Sequence, residues 1–199
     1  MKDFTISRVS KSEAATLVLK HHYLKDISKG FRSGYNYGLW RDGFSLCQRL
    51  DGVCIFTGLP VPEVAVGAFG LERDDQEGLF ELSRLCIHPD LQGEGGEHNL
   101  ASWFVSRAIR RLKADLHSEG KRLRAIISYA DSGFHTGTIY RACNFTYCGL
   151  TAKKYDYVDE DGRPVSRGST EYGRKWRNQK HRFVMVFDRS IELKWSIQK

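Results

Sequence analysis

An acid, an imidazole and a phenol occur within ten residues of one another in the segment ISYADSGFHTGTIYRACNF, which runs from Ile127 to Phe145. The apolar start of this segment predicts a buried strand, so Asp131 would lie where that strand ends. In α/β folds the ends of strands are the usual places for sites. Asp131 could there accept a proton, bind a ligand through hydrogen bonds or ligate a metal ion. The structural alternative is a turn or a helix cap, for which an Asp before Ser-Gly is well suited.

Cations beside aromatic rings form a second group of functional residue types near the C-terminus. The segment GRKWRNQKHR contains five Lys or Arg residues within ten positions, and the whole chain carries a formal charge of +7. Because cations contact phosphates and rings stack on bases, this composition is typical of a nucleic-acid surface. The alternative is a solvated basic loop. The nucleic-acid candidates are Arg174, Lys175, Trp176, Arg177, Lys180 and Arg182.

The overall composition predicts one soluble domain that spans residues 1–199. No apolar run approaches a membrane span of roughly 18–20 residues, and the N-terminus lacks a signal-peptide core. The five cysteines form no CxxC pair, which favours reduced thiols and a cytoplasmic location. We expect no membrane partner, and we expect the polar, basic stretch at about residues 158–182 to be a loop before the last strand.

Apolar patterning predicts the elements that would position these residues. Ser10 caps the first helix, and Glu13 completes a capping box. The longest helix is predicted from about Asn99 to His117, because apolar residues repeat at every fourth position: Leu100, Phe104, Ala108, Leu112 and Leu116. A short helix is predicted at Gly137–Cys143, and strands are predicted near Phe4–Ile6, Tyr37–Trp40, Val53–Thr57, Ala65–Gly70, Leu79–His88, Arg124–Ala130, Phe145–Leu150 and Arg182–Phe187.

The resulting order, β-α-β-β-β-β-α-β-α-β-β, is similar to the layout of the GNAT acyltransferase superfamily. The resemblance implies an α/β fold whose mixed, mostly antiparallel sheet is flanked by helices and splays open at the site. GNAT enzymes bind the pyrophosphate of acyl-CoA on a Q/R-x-x-G-x-G/A loop before the long helix, and Gln92 and Gly95 match it. Glu97 stands where a small residue is expected, and with Asp90 and Glu94 it would repel a pyrophosphate. A Gly-rich turn without a ligand is the alternative.

Three segments resemble a narrower family: ELSRLCIH, NLASWFVSRAIRRLK and ISYADSGFHTGTIYRACNFTYCGLT. Together with HHY near the start, they are similar to the phage Mom DNA-modification proteins, a divergent GNAT-like group. The match covers roughly residues 79 to 151 and HHY. The matching residues are Glu81, Ser83, Arg84, Asn99, Ser102, Phe104, Ser128, Tyr129, Asp131, His135, Gly137, Tyr140, Asn144 and Tyr147.

This resemblance implies an enzyme that converts adenine in double-stranded DNA to its N6-carbamoylmethyl form, which shields phage DNA from restriction. The enzyme would act in the cytoplasm of the phage's host, with double-stranded DNA as its partner, and a homodimer is one oligomeric state open to it. Because N6 cannot be reached inside the base stack, the adenine would be flipped into the splay. Two other functions remain open: an acyl-CoA-dependent N-acetyltransferase acting on another amine, and a catalytically inactive module that binds nucleic acid.

The resemblance also assigns roles to individual residues. The implied catalytic residues are Asp131, Tyr140, His22 and Tyr23, with Tyr140 as the general acid that GNAT enzymes place on the short helix. As alternatives, Tyr140 is a core aromatic residue, and His22 complements the dipole of the first helix. The implied substrate-binding residues are Ser83, Arg84, Asn99, Ser102, Ser128 and His135.

Several substrate-binding candidates have structural alternatives. Arg84 lies among apolar neighbours and needs a partner for its charge, but Glu81, three positions away, would point to the opposite face of a regular strand. Ser83 and Ser128 would otherwise be half-buried hydroxyls, and Asn99 a helix N-cap.

A metal site is the last implication of the resemblance, since Mom-like proteins have been linked to iron. His22 and Asp131 would be its ligands, and His135 is the nearest candidate for a second imidazole. Two imidazoles and one carboxylate are a ligand set that iron accepts. The cofactors implied are therefore iron or acyl-CoA.

Overall fold

The computed structural model describes residues 3–22, 32–41, 48–93, 95–163, 165 and 173–198. Its strands are β1 Phe4–Arg8, β2 Tyr35–Arg41, β3 Arg49–Gly58, β4 Leu79–Ile87, β5 Ala125–Asp131, β6 Thr146–Leu150, β7 Tyr155–Val158, β8 Gly173–Trp176 and β9 Lys180–Val186. Its α-helices are α1 Lys11–His21, α2 Glu63–Phe69, α3 Leu100–Ser118 and α4 Thr138–Ala142, and Pro89–Leu91 form a 3₁₀ turn.

Seven of these strands form one sheet in the order β1-β2-β3-β4-β5-β9-β6, and β7 pairs with β8 in a separate hairpin. All neighbours in the large sheet are antiparallel except β4 and β5, which run parallel. The predicted mixed, mostly antiparallel sheet flanked by helices is therefore confirmed.

The parallel strands β4 and β5 separate part of the way along their length. They pair only from Leu79–Leu82 to Ala125–Ser128, so the last residues of both strands diverge. Ser128, at the final paired position, is fully buried and donates its hydroxyl to the Leu82 carbonyl at 2.9 Å. The sheet thus splays open directly beyond Ser128, at the place where Asp131 ends its strand.

Helix α3 packs across the first three strands of the sheet. The apolar positions predicted to face the core are all buried: Leu100, Phe104, Ala108, Leu112 and Leu116. Full burial of a Leu or Phe side chain contributes roughly 1.5–3 kcal/mol, so this stripe fixes the helix on the sheet. The helix begins beside α4, which brings its first turn to the mouth of the splay.

The capping box of α1 is confirmed, because Ser10 accepts from the Glu13 amide at 3.2 Å and Glu13 accepts from the Ser10 amide at 2.7 Å. The prediction of a strand at Ala65–Gly70 is wrong, since helix α2 contains these residues up to Phe69 and Gly70 follows its end. Ala65, Ala68 and Phe69 are buried at helical spacing, which a short apolar run cannot distinguish from a strand.

The prediction of a loop at about residues 158–182 is partly wrong as well. Tyr155–Val158 and Gly173–Trp176 pair as β7 and β8, while residues 164 and 166–172 lie outside the described residues. None of the helices in the described part of the chain combines the length and apolar composition of a membrane-spanning segment.

Candidate active site in the sheet splay

A β-bulge in β4 changes which side chains face the splay. Ile55 pairs with Arg84 and the next residue, Phe56, pairs with Leu82, so Ser83 is an extra residue in β4. The Ser83 hydroxyl donates to the Ile55 carbonyl at 3.2 Å. Because one extra residue reverses the alternation of side chains, Glu81 and Arg84 lie on the same side. The expectation that they would point to opposite faces of a regular strand is therefore wrong.

A pocket of about 120 Å³ lies at the splay, and we call it the splay pocket. Strands β4 and β5, helix α4, the end of α1 and the start of β9 all contribute to it. Its lining residues are His22, Glu81, Ser83, Arg84, Leu85, Tyr129, Asp131, His135, Ile139, Tyr140 and Lys180. Six of the ten predicted catalytic and substrate-binding residues are thus brought together by elements that are distant in sequence.

The Asp131 carboxylate stabilises a turn and also lines the splay pocket. Its Oδ1 atom accepts from the Gly133 amide at 2.9 Å and from the Asn178 side-chain amide at 2.9 Å. The turn expected from Asp-Ser-Gly is therefore present, and it holds the carboxylate in one orientation at the pocket wall.

His135 follows this turn, and its backbone amide donates to the Asp131 carbonyl at 3.1 Å. Burial lowers the pKa of its imidazole, and the proximity of His181 lowers it further, whereas the charge of Asp131 opposes both effects. The net lowering favours a neutral imidazole at physiological pH. A neutral imidazole can both donate and accept a hydrogen bond, which suits contact with the edge of a base.

Glu81 is the second carboxylate of the splay pocket. Burial raises its pKa, and the nearby cations Arg32, Lys180 and Arg84 oppose that shift. The Arg32 guanidinium lies 3.5 Å from the Glu81 carboxylate. Burial also raises the pKa of Tyr129 to about 12, with the negative charge of Glu81 as a further cause. Two carboxylates in different environments share this pocket, an arrangement that separates acid and base roles.

Arg84 carries the clearest sign of a missing ligand. Its Nη1 atom donates to the Ser83 carbonyl at 2.6 Å. Its buried Nε atom has no hydrogen-bond partner among the described residues. A buried donor of a charged group is costly to leave unsatisfied, and Arg84 is one of the residues that line the splay pocket.

Tyr140 and His22 close the inner part of the splay pocket. Tyr140 is 6% exposed and its ring packs against Phe145 and Phe183, with centroids 5.7 and 5.1 Å away. It therefore belongs to the core and lines the pocket at once. His22 is also buried, and its backbone amide ends helix α1 with a bond to Val18. Tyr23, the fourth predicted catalytic residue, lies outside the described residues.

Three predicted substrate-binding residues lie outside the splay pocket. Ser128 holds β5 to β4, as described above, which is the structural alternative foreseen for it. Asn99 and Ser102 line a neighbouring pocket of about 300 Å³ at the start of α3, and both pockets share Ile139. Asn99 is the N-cap residue of α3, as its structural alternative predicted, but it adopts a left-handed conformation with φ 61° and its side chain makes no cap hydrogen bond. Ser102 donates to the Asn99 carbonyl at 3.0 Å.

The loop before α3 does not present the features of a pyrophosphate site. The Gln92 side chain donates to the Ile87 carbonyl at 2.5 Å, and Glu97 lines the pocket. Gly95 has φ 84° with open space around it, and Glu94 lies outside the described residues. No Lys or Arg occurs among the described residues that line this pocket. The residues present do not fit acyl-CoA bound in the conventional way.

The implied iron site is not supported by the geometry. Within the described part of the chain, no group of three or more His, Cys, Asp or Glu side chains is placed to hold a metal ion. His22, Asp131 and His135 line one pocket, but the Asp131 Oδ1 atom already accepts two hydrogen bonds. In this arrangement the three described side chains are therefore not placed to hold a metal ion together.

The hairpin of β7 and β8, with Lys153, Lys154 and Arg177 beside it, is an exposed surface of cations and rings that we call the basic hairpin. The Arg174 guanidinium lies 4.8 Å from the centre of the Tyr155 ring, and Trp176 is 64% exposed. Trp176 also packs edge-on against Tyr155, with centroids 5.3 Å apart. Lys175 is exposed on β8, and Arg177 pairs with Asp156.

Two of the six nucleic-acid candidates lie elsewhere, because β9 starts at Lys180. Lys180 lines the splay pocket. Arg182 is half-buried in β9, with its guanidinium 4.6 Å from the centre of the Trp195 ring. The predicted basic surface is therefore divided between the basic hairpin and the splay.

Three polar residues of the site were not among the sequence candidates for these roles: Glu81, Tyr129 and Lys180. Glu81 and Tyr129 were matched to the family pattern without a role, and Lys180 was assigned to nucleic-acid binding. Phe134, 59% exposed, lies between Asp131 and His135 in sequence and is a further residue without a predicted role. A large exposed ring in a loop between two polar residues is the signal that could have identified it.

Comparisons with known proteins give a family and a fold. The model of the Mom protein family matches residues 3–199. The chain is similar to a ribosomal-protein alanine acetyltransferase from Vibrio fischeri at 9% identity, over 98% of this chain and 97% of that chain, with a TM-score of 0.53. It is also similar to spermidine N-acetyltransferase from Vibrio cholerae in complex with CoA and spermine, at 13% identity over 94% of this chain and 96% of that chain, with a TM-score of 0.50.

An acetyltransferase from Bacillus subtilis in complex with CoA is also similar, at 16% identity over 92% of this chain and 97% of that chain, with a TM-score of 0.50. No curated protein sequence matches the chain significantly. Identities this low show the fold alone, and they confirm the predicted GNAT-like fold.

Proposed function

The chain belongs to the Mom protein family, and from this membership we propose that it is a transferase that modifies adenine in double-stranded DNA at N6. The observation that carries the proposal is the splay pocket, where Asp131, His135, Tyr140 and the unsatisfied Arg84 line one cavity. The basic hairpin supports the choice of a nucleic acid, since its cations and rings are exposed together.

The size of the splay pocket suits one edge of a flipped base. A cavity of about 150 Å³ holds a benzene ring, and the splay pocket measures about 120 Å³ with an open mouth. A purine would therefore insert the edge that carries N6 and leave its sugar outside. The exposed Phe134 ring directly precedes His135 in sequence, and it can stack against the duplex that the base has left.

The reaction joins N6 to the carbon of a carbamoylmethyl donor. A C–N bond forms at N6, the bond from that carbon to its leaving group breaks, and the leaving group keeps the electron pair. Asp131 accepts the proton that N6 loses, and Tyr140 supplies the proton that the leaving group gains. Arg84 and Lys180 stabilise the negative charge that develops on the leaving group.

An acyl-CoA-dependent N-acetyltransferase is the second candidate, supported by the GNAT-like fold that the chain shares with acetyltransferases solved with CoA. It requires acyl-CoA to stabilise the fold and requires Gln92 and Gly95 for that effect. The acidic Glu97 and the occupied Gln92 side chain argue against it. A module that only binds nucleic acid is the third candidate, and it predicts DNA binding without any product.

The test is nucleoside mass spectrometry of DNA from a bacterial host that expresses the protein. We expect deoxyadenosine with the added mass of a carbamoylmethyl group, and a loss of at least about a hundredfold with Asp131→Asn. Asp159→Asn is the matched control, because Asp159 also accepts a loop amide, that of Arg163 at 2.8 Å, at a distance in sequence from the splay.

A wild-type yield of the adduct from Asp131→Asn would contradict the assigned base. DNA without any adduct, from folded protein that acyl-CoA stabilises thermally, would favour the acetyltransferase instead.

A further inference from the structure

A groove of about 550 Å³ lies between the edge strand β1 and helix α3, and nothing in the reaction above uses it. Three arginines, Arg107, Arg110 and Arg111, line it together with the aromatic side chains of Phe4 and Trp103. We call it the arginine groove. Its lining combines cations with rings, as the basic hairpin does, but on a different part of the fold.

The three arginines have no carboxylate partner among the described residues. All three are exposed, and Arg107 lies 5.6 Å from the centre of the Trp103 ring. The sole acid of α3, Asp115, is already engaged by Arg8 at 3.5 Å and by the Tyr37 hydroxyl at 2.8 Å. The groove therefore carries a concentrated positive charge with no internal counterion among the residues described.

The like charges of the three arginines lower the stability of helix α3 unless an anion binds between them. Arg107 and Arg111 are four positions apart, and Arg110 is three positions from Arg107, so their like charges are neighbours on the helix surface. Each such pair destabilises a helix by a few tenths of a kcal/mol, about 0.2–0.5. Guanidinium groups bind phosphate oxygens in a bidentate manner, and bound phosphates would offset the repulsion.

We propose that the arginine groove binds the phosphate backbone of the duplex beside the target adenine. Ser102 lines the neighbouring pocket at the start of α3, and Arg107 follows it by five positions, about 7.5 Å along the helix axis, so that pocket and the groove both lie along α3. One helical turn of DNA spans roughly 34 Å, which is long enough to reach both. Arg107 and Arg111, about 6 Å apart along the axis, can contact separate phosphates. The choice of DNA as the partner rests on the proposed function.

The test compares two variants of the full chain that lose the same charge. Arg107→Gln/Arg111→Gln removes two groove cations, and Lys11→Gln/Arg189→Gln removes two exposed cations elsewhere. Binding of a fluorescent duplex is measured over a series of salt concentrations. We expect the groove variant to lose at least about tenfold in affinity at low salt and its slope of log K against log salt to decrease by about 1.8. The control variant should keep the wild-type slope.

The other outcomes overturn the proposal in distinguishable ways. Equal slopes for the groove and control variants, with a wild type that binds DNA and modifies it, would overturn the groove and leave the function intact. A reduced slope in the groove variant without any modified deoxyadenosine from the wild type would keep the groove and remove the function. If deoxyadenosine monophosphate raises the melting temperature of the wild type but not of the groove variant, with duplex affinity unchanged, the groove is a site for a single anion instead.

Discussion

The splay pocket holds its cations beside a buried carboxylate, whereas the basic hairpin exposes its cations beside aromatic rings. In the pocket, Arg84 and Lys180 lie near Glu81, whose pKa is raised by burial. In the hairpin, Arg174 lies over Tyr155 with both faces of β8 open to solvent. Both regions are basic, but the pocket holds Glu81 and Arg84 half-buried, whereas the charged residues of β8 are exposed.

This difference separates two physical tasks. Charges in a desolvated pocket interact strongly and in fixed directions, which is what stabilisation of a transition state requires. Charges on an exposed hairpin are screened by salt, and they attract a polyanion without fixing any atom of it. The pocket is thus suited to the chemistry, and the hairpin to holding the DNA.

The strongest test of this division exchanges a cation in each region for glutamine. We expect Arg84→Gln to lower the rate of adenine modification by about a hundredfold to a thousandfold, the usual cost of removing one donor to a developing charge. Its affinity for duplex DNA should stay at the wild-type value, since the Arg84 guanidinium is partly buried. Single-turnover kinetics and fluorescence anisotropy measure the two quantities.

Arg174→Gln/Lys175→Gln is the reciprocal control. It should lower DNA affinity by about tenfold and reduce the salt slope by about 1.8, with the rate at saturating DNA unchanged. If Arg84→Gln instead weakens DNA binding while its saturated rate is normal, the division between chemistry and binding is wrong. Because Arg84→Gln removes the hydrogen bond from Nη1 to the Ser83 carbonyl, its melting temperature is measured as well, to show that the variant is folded at the assay temperature.

Alanine substitutions at two glycines test the difference between the pocket and the hairpin through the free energy of unfolding. Gly137 before α4 and Gly162 in the hairpin turn have nearly the same φ, 76° and 74°. A Cβ at Gly137 would lie 2.3 Å from the Phe183 ring, whereas a Cβ at Gly162 meets nothing within 4 Å. Both Ala variants incur roughly 1–2 kcal/mol of left-handed strain. Gly137→Ala adds overpacking of roughly 1–3 kcal/mol.

Urea unfolding measures this difference directly. Gly137→Ala should lose more free energy of unfolding than Gly162→Ala, and the excess reports how tightly the pocket wall is packed. Equal losses for the two variants would mean that the ring of Phe183 moves aside, so the pocket would not be rigid.

Sequence periodicity predicted the elements whose core faces repeat regularly. The stripe from Leu100 to Leu116 and the capping box at Ser10 could be found because each depends on local spacing. Helix α2 was missed, since Val64 to Ala68 is apolar throughout and shows no period. Strand β8 was missed because two of its four residues are charged and three are exposed, so no buried apolar face gives an alternation.

The site was predictable only as far as its residues follow a linear pattern. Asp131, His135 and Tyr140 lie in one segment, and the family resemblance added His22 and Arg84. The pairing of Ile55 with Arg84, which turns Glu81 into the pocket, depends on a register shift against another strand. Such a shift is set by tertiary packing, so the sequence of β4 alone does not contain it.

The smallest expected effect is the pH dependence that Glu81 imposes on stability. Its folded pKa is raised above the ordinary value of 4.5, mainly by burial, so the folded state binds this proton more tightly than the unfolded state. The resulting stabilisation is fully present below pH 4.5 and is lost as the pH rises through the folded pKa. At neutral pH the buried charge therefore costs stability.

Glu81→Gln should melt at a higher temperature than the wild type at pH 7, and this gain should shrink towards pH 4.5. Glu160→Gln, which removes an exposed carboxylate at the hairpin turn, should show no such trend. Melting temperatures across that range check both variants. A gain for Glu81→Gln that does not vary with pH would mean that packing, rather than the buried charge, distinguishes the pocket from the hairpin.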